Sequence, residues 1–262
     1  MSTNAMNVAK TGLNAQQTRL QVISNNLANV NTTGFKRDRA NFETLLYQVT
    51  RPAGAPTSDT TSLTSPLAVG TGVRVVSTDK LFTQGALSTT DNALDVAIDG
   101  QGFLQVLLPD GRIGYTRDGA LSRNADGTLT TASGYVLQPE ITIPEEATQI
   151  VISSDGIVSV QTQGEAQMQE VGQITLASFA NPRGLEPGGE NLLLETTASG
   201  PANVTAPLEA GMGKMVQGAL EGSNVNVVQE LVDMIETQRA YEVSSKAISA
   251  ADEMMKFASN NL

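Results

Sequence analysis

Cysteine, histidine and tryptophan are all absent from the 262-residue chain. Without Cys there is neither a disulfide framework nor a thiolate nucleophile. Losing His as well removes the commonest general base and metal ligand. Catalytic, cofactor-binding and metal-binding residues are therefore all read as none. No stretch approaches the roughly eighteen apolar residues of a membrane span, so no membrane insertion is expected. Met1–Lys10 lacks the apolar core and cleavage site of a secretory signal, and export without a cleaved signal peptide is the expectation. Basic residues are also scarce: 16 Lys and Arg stand against 27 Asp and Glu, net −11. That balance argues against nucleic acid and anionic membrane surfaces.

The remaining chemistry would fall to carboxylates. Asp91, Asp95 and Asp99 lie close in sequence, yet Asp favours turns for its local hydrogen bonds, and Asp99 precedes a glycine. They are read as turn residues. No stretch has the spacing of a calcium loop, and Gly100-Gln-Gly102 lacks the third glycine and following helix of a dinucleotide fingerprint. Lys36, Arg37 and Arg39, with Phe35 and Phe42 nearby, read as a solvated or subunit-facing patch.

Proline and glycine are distributed unevenly. All ten prolines lie between Pro52 and Pro207, and Ser223–Leu262 holds neither Pro nor Gly. Both are strong helix breakers, so the two ends are open to helix. Met6, Ala9, Leu13, Gln16, Leu20, Ile23, Leu27 and Val30 recur at alternating spacings of three and four. Val227, Leu231, Met234, Gln238, Tyr241, Ser245, Ile248, Asp252 and Met255 do the same near the other end. Such heptad seams pack helices on helices. The N-terminal helix is expected from about Asn4 to Ala28–Val30, with Gly34 at a left-handed turn position. Asn224 or Asn226 is expected to cap the C-terminal one.

That second helix carries another apolar set, namely Val232, Ile235, Val243, Ala247, Ala250, Met254 and Phe257. One partner helix covers a single stripe, so two stripes imply contact with other copies of the chain. Charge supports pairing of the ends. Residues 1–51 carry six basic and two acidic side chains, net +4, whereas the segment from Glu221 onward carries seven acids and three bases, net −4.

Between the helices the pattern is β. Short apolar–polar alternations, such as Val73–Val76, Phe103–Leu107, Ile150–Ile152 and Ile157–Val160, are separated by Asp-Gly pairs at 99–100, 110–111, 118–119, 126–127 and 155–156, a hairpin signal. About ten short antiparallel strands are expected, in a sandwich or distorted barrel. Thr50–Ser65, rich in Thr, Ser, Ala and Pro, has the composition of a flexible linker. An alternative is a strap of extended chain, since Pro52, Pro56 and Pro66 favour extended backbone. The fold class is α+β, with long terminal helices forming a coiled-coil-like pair that encloses a mainly antiparallel β domain. The expected boundaries are 1–34 for the first helix, 35–72 for a connecting segment with an extended insertion at 47–66, 73–207 for the β domain, 208–222 for a return segment and 223–262 for the second helix.

Ser24-Asn-Asn-Leu-Ala-Asn-Val-Asn-Thr-Thr-Gly-Phe-Lys-Arg37 resembles the N-terminal signature of the bacterial flagellar rod and hook proteins. Gly222-Ser-Asn-Val-Asn-Val227 and Met234-Ile-Glu-Thr-Gln-Arg-Ala-Tyr-Glu242 resemble their C-terminal signature. Asp95–Phe103 and Tyr115-Thr-Arg-Asp-Gly119 resemble the rod members, so the likeness covers nearly the whole chain. Matching signature positions are Asn25, Asn26, Leu27, Ala28, Asn29, Gly34, Phe35, Asn224, Asn226, Gln238, Arg239, Ala240 and Tyr241. Length and the Tyr47–Pro66 insertion are most similar to the distal-rod members, with a proximal-rod or hook-type subunit as the alternative. The resemblance implies self-association into a hollow helical rod that transmits torque. It also implies partners among other rod and hook proteins, the surrounding basal-body rings and the flagellar export apparatus, in a rod crossing the periplasm, with the β domain outermost. The expected subunit interface is Leu13, Leu20, Ile23, Leu27, Val30, Leu231, Met234, Ile235, Tyr241, Ile248 and Met255. A different class, a soluble surface-binding module of lectin or adhesin type using the β domain, is kept beside it.

Overall fold

The computed structural model describes residues 2–54, 56–58, 61–62, 64–164 and 167–260. The last two residues of the expected C-terminal helix, and residues 55, 59, 60 and 63 of the linker stretch, lie outside these. The chain is α+β, with a helix at each end and mostly antiparallel strands between. It divides into two compact units. One comprises Met1–Leu27, Asp38–Asp79 and Asn226–Leu262, the other Ala28–Arg37 and Lys80–Val225.

In the first unit, helix α1 runs Ser2–Ala28 and helix α2 runs Val227–Asn260. At 1.5 Å per residue the longer spans roughly 50 Å. Asn226 begins α2: its side-chain Oδ1 accepts from the Gln229 amide at 3.2 Å and its carbonyl from the Glu230 amide at 3.0 Å, satisfying donors that a helix start leaves free. Asn224, the other expected cap, is used elsewhere.

The two helices meet at several points. Asn26 Nδ2 donates to Glu230 Oε2 at 3.2 Å, Arg19 lies 3.7 Å from Asp233, and a methyl group added at Gly12 would sit 3.9 Å from Ser244 Oγ. As positions rise along α1 they fall along α2, so the pair is antiparallel.

Strand Asp38–Thr44 pairs with Val73–Lys80. Between them the chain doubles back, with Tyr47–Arg51 antiparallel to Leu67–Gly70 and Pro56–Ser58 antiparallel to Thr61–Ser62. Over the described residues, the linker reading of Thr50–Ser65 thus gives way to paired strands. Backbone groups satisfied by the opposite arm explain how a stretch with little apolar content holds extended structure. Folding back also shortens its reach compared with a single extended strap.

The second unit is built on an open seven-stranded sheet. Its order is Leu121–Arg123, Leu129–Thr131, Val136–Gln138, Leu104–Leu107, Ile113–Thr116, Leu192–Leu194, Glu186–Gly189. The sheet keeps two edges and is not a closed barrel. Ala147–Ile152, Ile157–Thr162 and Gln169–Gln173 form a separate three-stranded sheet. Leu104, Val106, Leu129, Leu137, Ile141, Ile143, Val158, Ile174 and Leu176 fill the main core.

Asp110-Gly111, Asp126-Gly127 and Asp155-Gly156 do join paired strands. Asp99-Gly100 does not, because Val96–Asp99 pairs instead with Lys214–Gln217. Asp118-Gly119 is not a hairpin turn either: a side chain on Gly119 would collide with the Val96 carbonyl, so this glycine serves close backbone approach.

Candidate assembly surface and the clasp of the chain ends

The fully buried residues of α2 are polar or small, namely Glu230, Thr237 and Ala251, and Met234, Ala240, Ser244, Ile248 and Met255 are half-buried. Most of its other large apolar side chains are open. Val228 is 71% exposed, Val243 67% and Phe257 74%, with Leu231, Val232, Ile235 and Met254 also open. Of the residues expected at the interface, Ile23 is buried, Leu13, Leu20, Leu27, Val30, Met234, Ile248 and Met255 are half-buried, and Leu231, Ile235 and Tyr241 are exposed. The contact between the helices therefore runs along 230, 237, 244 and 251, one step off the apolar seam on α2. The seam is displaced because Glu230 and Thr237, invisible to an apolar count, occupy the helix contact.

Asn26 anchors that contact and is itself buried. Its Oδ1 accepts from the Asp38 amide at 2.8 Å, and its Nδ2 donates to the Asp38 carbonyl at 2.9 Å as well as to Glu230. Both amide donors and the carbonyl oxygen of its side chain thus have partners, as burial requires. Asn25 Nδ2 also reaches Asp38 Oδ2, at 3.3 Å. Gln238 and Arg239 are exposed on α2.

The other signature residues meet inside the second unit. After Ala28, Asn29 accepts from Thr32, backbone to backbone and side chain to side chain, each at 3.2 Å. Gly34 has φ +66°, and a methyl there would lie 2.6 Å from the Arg117 carbonyl carbon. Only glycine tolerates both the backbone and the space. Its amide donates to the Glu221 carbonyl at 2.7 Å. Phe35 is buried with Lys80 Nζ 5.0 Å above its ring. Asn224 Oδ1 accepts from the Arg37 amide at 2.7 Å, and its Nδ2 donates to the carbonyls of Leu81 and Thr83 at 2.7 and 3.1 Å. The segments that lead out of α1 and into α2 are thus stitched side by side.

At the centre lies a charge cluster. Lys36 Nζ sits 2.6 Å from Glu221 Oε1, and Arg117 Nη1 donates to Glu221 Oε2 at 3.1 Å. All three side chains are at most 5% exposed. The Gly85 amide donates to Glu221 Oε1 at 2.9 Å, Lys36 also donates to the Thr83 carbonyl at 2.8 Å, and Arg117 Nη2 to the Gly100 carbonyl at 2.6 Å. Burial holds the Lys36 ammonium below its ordinary pKa, Glu221 opposes that shift, and neighbouring Arg117 adds to it. Burial lowers Arg117 too, against the pull of Glu221.

The solvated-patch reading of Lys36 is thereby corrected. Arg39 does keep to the surface, 3.2 Å from Asp79. A basic residue embedded among small and aromatic ones, in Gly34-Phe35-Lys36 and Tyr115-Thr-Arg117, was the signal available in the sequence; Glu221 offered none. Beside the cluster, Phe82, Phe103, Phe179 and Tyr115 stack edge to face at 4.7–6.0 Å.

Two of the three acids weighed as catalytic groups have structural partners. Asp95 accepts from Thr90 Oγ1 at 2.7 Å and Asn92 Nδ2 at 2.9 Å, and Asp99 lies 3.3 Å from Lys214. Among the described residues no group of acids is placed to hold a metal ion, and no helix is long and apolar enough to cross a membrane.

A clasp of both ends and an apolar face left uncovered define a subunit class rather than an active site, and comparison with known proteins identifies it. Residues 6–36 match the flagella basal body rod protein family, 97–160 the flagellar hook protein FlgE/F/G D1 domain, and 216–261 the flagellar basal body rod FlgEFG protein C-terminal family. The chain belongs to the flagellar basal-body rod protein family, whose members are structural and not enzymes. Within it, the chain is 55% identical over 249 residues to the flagellar basal-body rod protein FlgG of Buchnera aphidicola subsp. Schizaphis graminum, covering 95% of this chain and 96% of that one. It is 48% identical to FlgG of Caulobacter vibrioides, covering 96% and 97%. Identity to FlgF of the latter organism is 34%, with 98% of each chain covered.

Proposed function

We propose that this protein is the structural subunit of the distal part of the flagellar rod, polymerising through its terminal helices into a hollow shaft that transmits torque and surrounds an export channel. The observation that carries the reading is the apolar face of α2 left exposed in the single chain, from Val228 to Met254. α1 already occupies the polar face of α2, so the apolar side chains have further copies of the chain as their natural cover. A repeated contact between different faces that does not close produces a filament. Burying each such side chain contributes about 1.5–3 kcal/mol, repeated at every subunit.

In this reading the helix pair behaves as one strand of a larger helical bundle in the rod. The expected seam residues Leu13, Leu20, Leu27, Val30, Leu231, Met234, Ile235, Tyr241, Ile248 and Met255 contact neighbouring copies. Other rod and hook proteins adjoin the two ends of the polymer, ring proteins surround it, and the flagellar export apparatus delivers it to a rod crossing the periplasm. Greater identity to FlgG than to FlgF supports the distal position. Nothing favours the surface-binding module.

Sedimentation of the purified protein at rising concentration tests the proposal. Growth of rod-shaped particles is expected. A chain that stays monomeric at all concentrations, with or without a preformed rod end, would refute it.

A further inference from the structure

Lys36 and Arg117 are buried side by side and share one carboxylate, Glu221, which lies 185 residues after the first and 104 after the second. Two like charges that repel each other in a dry site are tolerated only once the anion is in place. Lys36 stands on the short segment Ala28–Arg37 and could lift away until then. Arg117 could not. Its guanidinium donates to the carbonyls of Ile98 and Gly100 at 3.3 and 2.6 Å and lies 5.7 Å from the Phe103 ring centre. It is therefore enclosed by strand Val96–Asp99 and by the aromatic cluster as soon as these pack.

Glu221 is equally fixed. Its carbonyl takes the Gly34 amide at 2.7 Å, its carboxylate takes the Gly85 amide, and the next residue, Gly222, donates to the Ala86 carbonyl at 2.8 Å. We propose that Glu221 gates closure of the second unit: its core closes only when the chain as far as residue 221 is present, so the whole unit folds together with the segment that opens into α2. A chain lacking its final portion then stays open. Because closure stitches Arg37 to Asn224 through the 2.7 Å bond already described, it brings the roots of both helices together in the same step.

The experiment is refolding of full-length chain from urea, followed by pulsed hydrogen exchange on peptides from 96–131 and 150–160. It compares the parent with Glu221→Gln and with the apolar triple variant Lys36→Met/Arg117→Met/Glu221→Leu. Gating predicts that Glu221→Gln slows refolding on the order of a thousandfold while unfolding changes little, and that the triple variant refolds within about tenfold of the parent. If Glu221→Gln refolds at the parental rate and only unfolds faster, the cluster docks after the core has closed and gating is wrong. If Glu221→Gln does not fold at all, the triple variant decides: a folded second unit supports the proposal, and an unfolded one overturns it.

Discussion

The charge cluster shows how one side chain can matter more than its neighbours. Removing Glu221 leaves two uncompensated buried cations, so Glu221→Gln is expected to cost about 3–5 kcal/mol of stability. Lys36→Met should cost clearly less. It leaves the neutral pair of Arg117 and Glu221, and the Thr83 carbonyl keeps its bond from Asn224 Nδ2 at 3.1 Å. Equilibrium urea unfolding separates the two, and equal losses would mean that the carboxylate does not organise the cluster.

Tyr115 adds a pH dependence. Burial, and then Glu195 beside it, push its phenol up to about 12. The unfolded phenol ionises near about 10. Between those values the unfolded chain has lost a proton that the folded one keeps, so this contribution is intact below pH ~10 and disappears as pH rises toward 12. Phenolate absorbance should show a late step that Tyr115→Phe abolishes, and Tyr115→Phe should flatten the alkaline loss of stability. None of this could be read from composition, because an ion pair 185 residues apart leaves no local pattern. Gly34 and Asn226 were legible, since a left-handed turn and a helix cap depend on neighbours in sequence.

The helices were legible as elements, because Pro and Gly exclusion and a three–four spacing are local properties. Which face of α2 meets α1 was not. Apolar spacing pointed to Leu231 and Tyr241, while the buried positions are Glu230, which takes a hydrogen bond from Asn26, and Thr237, whose hydroxyl donates to the Asp233 carbonyl one turn back. Two predictions belong here. Gly12→Ala should stabilise α1 by about 1 kcal/mol, since the added methyl meets Ser244 Oγ at an ordinary 3.9 Å; helicity by circular dichroism checks this.

Ile235→Asp or Leu231→Asp should abolish polymerisation and leave the second unit folded, each removing about 1.5–3 kcal/mol of burial and placing an unpaired carboxylate in the subunit contact. Both positions are exposed in the single chain, so monomer stability should change by less than about 0.5 kcal/mol. Sedimentation read together with urea unfolding checks this. A variant that still polymerises would move the contact to another face of α2.

At the scale of the whole molecule, the family likeness reads from end to end, but the ribbon at 47–70 did not. Its sequence has the composition of a linker, and its backbone finds partners through pairing of Tyr47–Arg51 with Leu67–Gly70 and of Pro56–Ser58 with Thr61–Ser62. Such a ribbon is marginal alone, and this one displays Leu46, Tyr47, Val49, Leu67 and Val69 at half exposure or more, apart from Val69 at 49%. Apolar side chains on both arms of a thin ribbon favour burial against a neighbouring subunit. A ribbon also resists bending and sliding better than a single strand, because its two arms are cross-linked by hydrogen bonds. Contact of this kind between neighbours would straighten a polymer as well as strengthen it. Deleting residues 53–64 keeps the paired arms at 47–51 and 67–70 while removing the tip. The expected outcome is polymer that still assembles, because α2 is untouched, but with greater curvature and shorter persistence length in electron micrographs. Polymers as straight and stiff as the parent would show that the tip carries no load between subunits. Loss of assembly altogether would make the ribbon, rather than the helices, the principal subunit contact.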